Sequence, residues 1–146
     1  MPTSRPMTEP ELAYRAEGLA QLVRILGSDR VIEAPELQAV YDWCLAQNWD
    51  ASADDLEEYG PVVGIGMVMG DLIAAQIGMD WVWLHDPEYD WSGPALQLRG
   101  KAVYCHPVPM IAGRLADRIQ IRIDTLIASV TAELLRLRDT ADRITT

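Results

Sequence analysis

Phenylalanine is missing from the 146 residues, lysine occurs once, at Lys101, and histidine and cysteine occur twice each. Eleven arginines stand against that one lysine, an imbalance we read as coding bias and not as chemistry. Two cysteines, Cys44 and Cys105, are too few for a disulfide framework, and their presence in an otherwise unstapled chain points to a reducing compartment, so the chain is expected in the cytoplasm. No Cys-x-x-Cys or His-Glu-x-x-His spacing occurs, so neither a metal nor any other cofactor is expected. Cys105 and His106 are neighbours, but neighbours on a strand point to opposite faces, which excludes a simple Cys–His dyad. A hydrolase elbow of the Gly-x-Ser-x-Gly type is absent. Gly64 and Gly66 start a dinucleotide-like fingerprint, yet position 69 is Met and no Gly-Lys-Ser/Thr follows. Residues 1–10 contain three prolines and no apolar stretch of the export type. Repeats, low-complexity tracts and internal linkers are lacking too, so we expect a loose tail at 1–7 and one domain at 8–146.

What is present is acid. Asp plus Glu number 22 against 12 Lys plus Arg, for a net charge of −10. The excess is concentrated. Residues 1–28 balance to zero, residues 29–90 hold fourteen acids and only Arg30, a net −13, and residues 91–146 carry +3. A field of that sign repels phosphates and argues against nucleic-acid binding. It favours a basic protein partner and speeds encounter with it. It also serves solubility.

One apolar stretch, Pro61–Met79, is nearly long enough to span a bilayer, with small residues at Gly66, Gly70, Ala74 and Gly78. Asp71 in its middle would cost about 2.5–3.5 kcal/mol on insertion scales. No Lys or Arg flanks it closely. We therefore expect a buried helix in a soluble core and no membrane span.

The remaining pattern predicts an α+β order. Thr8 with Glu11 reads as a capping box that opens a helix ended by Gly27. A second helix is predicted over 35–47, a short acidic turn capped by Asp50 or Ser52 up to Tyr59, and the apolar helix up to Gly78. Residues 81–106 read as a three-stranded antiparallel meander: strands at 81–85, 95–98 and 102–106, with a polar loop at 87–93 and a hairpin at Gly100-Lys101. From Met110 the 3.6 period returns as an amphipathic C-terminal segment, with a break expected between Leu115 and Ile121.

Four residues are candidate binding groups, and no catalytic residue is predicted. Asp71 is a carboxylate on an apolar helix and needs a partner, for which Arg114 is the candidate. Arg114, Arg118 and Arg122 are spaced four apart and would form a ridge on one helix face. Tyr89 and Trp91 fall in the acidic loop, where aromatics can anchor a partner. Trp81 and Trp83 share one strand face and read as core.

Several stretches taken together resemble a known family: Gly60-Pro61-Val62-Val63-Gly64, Gly70-Asp71, Gly78-Met79-Asp80-Trp81-Val82, Pro94-Ala95-Leu96, His106-Pro107 and Met110-Ile111 with Arg114. The pattern, over residues 60–118, is similar to a bacterial family of short proteins known as a domain of unknown function. The resemblance implies an α+β domain without established activity. It also implies a basic pair at the Arg114 position, where this chain has Gly113 instead of a second base. On the residues alone, the expected function is a non-catalytic acidic interaction domain, an inhibitor- or immunity-type partner of a basic protein. The alternative is a small-molecule-binding domain or enzyme with a pocket around Asp71 and Arg114. A homodimer packed through the C-terminal helix is compatible with either.

Overall fold

The first helix forms where its signals say it should. In the computed structural model, which describes residues 2–27, 32–47 and 51–145, α1 runs Glu9–Leu26. The Glu11 carboxylate accepts from the Thr8 backbone N–H at 2.8 Å. Gly27 ends the helix in the left-handed region, at φ 73°, which glycine adopts without steric cost. Helix α2 spans Ala34–Ala46 and buries Leu37, Val40, Tyr41 and Cys44 along one stripe. A single turn, α3 (Ala53–Leu56), is capped by Ser52, whose hydroxyl accepts from Asp55 N–H at 3.2 Å. Asp50, the other expected cap, lies outside the described residues.

Helix α4 (Gly60–Ile77) is the centre of the molecule. By length and composition it could cross a membrane, but 67% of its apolar window is buried among the other elements. It packs against α1, α2, α5 (Pro107–Ala116) and α6 (Ile123–Thr145). Its small residues are points of contact. A Cβ on Gly64 would lie 2.3 Å from the Gly18 carbonyl oxygen of α1, and one on Gly66 would lie 2.7 Å from Val108 Cα of α5. At Gly70 the indole of Trp81 occupies the space that a side chain would need.

The sheet has four antiparallel strands in the order β1 (Thr3–Arg5), β2 (Met79–Asp86), β3 (Trp91–Leu98) and β4 (Tyr104–Cys105). The α+β class with N-terminal helices and a C-terminal helix is as expected, but three details are corrected. Residues 3–5 are not part of a loose tail: Ser4 pairs with Leu84, and Arg5 with Trp83. All three β1 residues are exposed and polar, so no apolar alternation announces a strand held by its backbone to the edge of β2. Trp91 does not lie in the loop but opens β3, which continues through Gly93-Pro94. Pro94 is tolerated because β4 pairs only with Leu96 and Gln97, leaving no ladder partner beside it on that edge. Finally, the three arginines do not form a ridge. Arg114 is on α5, Arg118 sits in the connection at φ 55°, and Arg122 precedes α6.

The break between α5 and α6 is real and is tied down by side chains. Gln38 of α2 donates to Ile121 O at 2.9 Å and accepts from Ile123 N–H at 2.7 Å. The Arg118 guanidinium donates to Gln47 O at 3.1 Å, and Tyr41 hydroxyl donates to Ile119 O.

Candidate functional site

Helix α1, the α3 segment, the sheet and the start of α5 converge on a groove of about 550 Å³. The first turns of α1 bring Glu11 and Tyr14 to one wall, and α3 with the residues after it brings Asp54, Glu57 and Glu58. The sheet supplies Trp83 from β2 and Trp91 from the start of β3, and the turn before β3 supplies Asp90. Five of the lining residues are acids and none is Lys or Arg.

Local hydrogen bonds hold this wall. Trp91 Nε1 donates to Glu57 Oε1 at 3.1 Å, and Tyr14 hydroxyl donates to the Glu57 backbone carbonyl at 2.7 Å. The Trp91 ring meets the His106 ring edge-on, with centroids 5.0 Å apart. Burial pushes the Glu57 carboxyl above its ordinary range, against the Trp91 hydrogen bond, and the nearby Asp54 and Glu58 push it further. Burial also pushes the Tyr14 phenol up to about 12, helped by Glu58 and Glu57. Within this groove Glu57 is the carboxylate partly withdrawn from water, and it is crowded by like charge from Asp54 and Glu58. Such a cluster lowers its free energy by taking up a cation.

One end of the groove already holds a cation. The guanidinium of Arg5 reaches Glu11 through two nitrogens, at 2.7 and 2.8 Å, and its Cζ lies 5.8 Å from the Trp83 ring centroid. This ion pair draws the Glu11 carboxyl down to about 2.

The four candidates end in different places. Trp91 lines the groove, and Tyr89, 75% exposed, stands in the turn beside it. Asp71 and Arg114 do not line it and are not partners. Asp71 accepts from Arg15 of α1 and, at 2.8 Å, from Trp81 Nε1, so its partner comes from α1 and not from α5. Arg114 instead donates to the Met110 carbonyl of its own helix at 3.1 Å. The expected Asp71–Arg114 pair is therefore corrected. Proximity in the fold decided the pairing, and several arginines were equally eligible by charge. The four candidates do not include Glu57, Glu58, Asp54 or Tyr14, which also line the groove. The only available signal for the three carboxylates was the density of acids between 54 and 58.

The other reactive side chains are quiet. Cys44 and Cys105 are free and buried, and burial pushes both thiols up to about 12, far from the thiolate form that reacts. His85 shares a 2.8 Å hydrogen bond with Ser92 hydroxyl. Among the described residues no group of three or more His, Cys, Asp or Glu is placed to hold a metal ion.

The fold and this groove define an α+β domain with an acidic, aromatic-walled surface cleft. The match to the domain of unknown function DUF3806 covers residues 43–125, more than half of the chain, and the chain belongs to that family. No curated protein matches it in sequence. A crystal structure from Bacteroides thetaiotaomicron VPI-5482, solved at 1.50 Å, has a similar fold with a TM-score of 0.63 at 16% identity. The similarity covers 88% of this chain and 47% of that one, so this chain spans about half of its structural neighbour. At that identity the likeness concerns the fold alone.

Proposed function

We propose that this domain is a non-catalytic interaction module whose groove receives a basic segment of a partner protein. The observation that carries this reading is the composition of the groove: five carboxylates, of which Glu11 is paired with Arg5, and three aromatic rings, Tyr14, Trp83 and Trp91, with no Lys or Arg among the lining residues. Opposite charge steers such a partner to the groove, and aromatic walls supply contact area beside the charge. Tyr89, exposed in the turn beside Trp91, extends the surface. The −13 balance of residues 29–90 sets the long-range field for the same encounter. An inhibitor- or immunity-type role is the form such a module would take. The two free thiols, Cys44 and Cys105, accord with the cytoplasm as its compartment.

The test is capture of partners from a lysate of the source organism, at low and high salt, with the wild type and with Asp54→Lys/Glu58→Lys. Both positions are exposed, so the variant is expected to fold. A basic protein held by the wild type, released by salt and absent with the variant is the expected result. Retention that ignores both salt and charge reversal would sink the reading.

A further inference from the structure

We propose that the group this groove recognises is a guanidinium, so that the partner presents arginine and not lysine. This rests on the reading of the groove as the partner-binding surface. The chain carries its own template. Arg5 meets a carboxylate through two nitrogens and an aromatic ring with its cation, and both of its contacts, Glu11 and Trp83, line the groove. Across the groove the same ingredients recur with no arginine among the lining residues: the carboxylates of Glu57, Glu58 and Asp54 beside the rings of Trp91 and Tyr14.

The chemistry of the two cations separates them. A guanidinium is planar and weakly hydrated, bonds a carboxylate in a fork and stacks on a ring. An ammonium is compact and strongly hydrated, and loses more on leaving water. Glu57 is half-buried, its carboxylate is fixed by the Trp91 indole, and its neighbours crowd it with like charge. A weakly hydrated cation suits that partly dry position. At about 550 Å³ the groove has room for an arginine side chain with flanking backbone.

Fluorescence anisotropy tests this with two labelled peptides of equal charge, Gly-Arg-Gly-Arg-Gly and its lysine counterpart, titrated with the wild type and with Asp54→Asn/Glu58→Gln. We expect the arginine peptide to bind about tenfold tighter than the lysine peptide. The double variant, which alters two exposed side chains only, is expected to lose about tenfold in arginine-peptide affinity. Equal affinity for both peptides overturns the guanidinium assignment and leaves the basic-partner reading standing. Binding of neither peptide overturns both. Arginine-peptide binding unchanged in the double variant places that binding outside this groove and overturns the assignment.

Discussion

Glycine at position 64 has a neighbour where its side chain would be. The Gly18 carbonyl oxygen lies 2.3 Å from a Cβ built there, and a backbone oxygen on a packed helix cannot swing aside. Gly64→Ala should therefore cost about 3 kcal/mol, by overpacking at the crossing of α1 and α4. Gly113 makes the contrast: nothing lies within 4 Å of its Cβ position and it sits inside α5. Gly113→Ala should add about 0.5–1 kcal/mol through helix propensity and a stiffer unfolded chain. Urea melts of the two variants measure the difference directly, and similar midpoints would show that the α1–α4 crossing is not tight. His106 is the residue with a pH signature. Its Nδ1 is buried without a hydrogen-bond partner. Burial lowers its pKa from the ordinary 6.5, against an opposing pull from Asp86. The folded state therefore holds the imidazolium less readily than the unfolded chain does. Its stability contribution is complete above about 6.5 and falls as pH drops through the lowered value. The many carboxylates also change charge as the pH falls further, so the useful quantity is the difference between wild type and His106→Gln. That difference should shrink as pH falls below about 6.5, and parallel stability curves would contradict it.

Between elements, Gln38 makes two of the hydrogen bonds that hold the α5–α6 connection to α2. Gln38 both donates to Ile121 O and accepts from Ile123 N–H, and Ile123 is fully buried. Gln38→Ala leaves that buried donor without its partner, an expected loss of about 2 kcal/mol in a denaturant melt. Gln38→Glu keeps an acceptor for Ile123 but sets a carboxylate against Asp42 and Ile121 O, both of which Gln38 now bonds, so it should not restore wild-type stability. A Gln38→Ala melt indistinguishable from wild type would mean that Arg118, Tyr41 and the Gln120–Asp42 bond suffice to hold the connection. Asp71 is a second link of this kind. It joins α1 to β2 through Arg15 and Trp81, and the sequence shows only that the carboxylate needs a partner. Elements with strong local signals were the legible ones. Thr8, Glu11 and Gly27 bound α1 at both ends, because caps act within a turn of the helix. β1 was illegible because its three polar residues depend on the backbone edge of β2, 78 or more positions downstream in the chain.

For the whole molecule, the acid-rich stretch between 29 and 90 sets the sign of the field, and the groove concentrates it. The α+β order, the buried apolar helix and the acidic balance were readable from the chain itself, because periodicity, capping and charge are local or additive properties. Trp91 could be picked out as an aromatic in an acidic segment, and it does line the groove. Its partners could not be picked out. Glu57 is 34 positions away and Tyr14 77 positions away, and no spacing rule links them. Arg5 also reached Glu11 and Trp83 only once β1 had joined the sheet. Residue types and their periods thus determined which elements form and what charge they carry. Which carboxylates and rings share one groove, and which arginine answers Asp71, was decided by packing around α4, because contacts between distant segments depend on shape complementarity that sequence spacing does not encode.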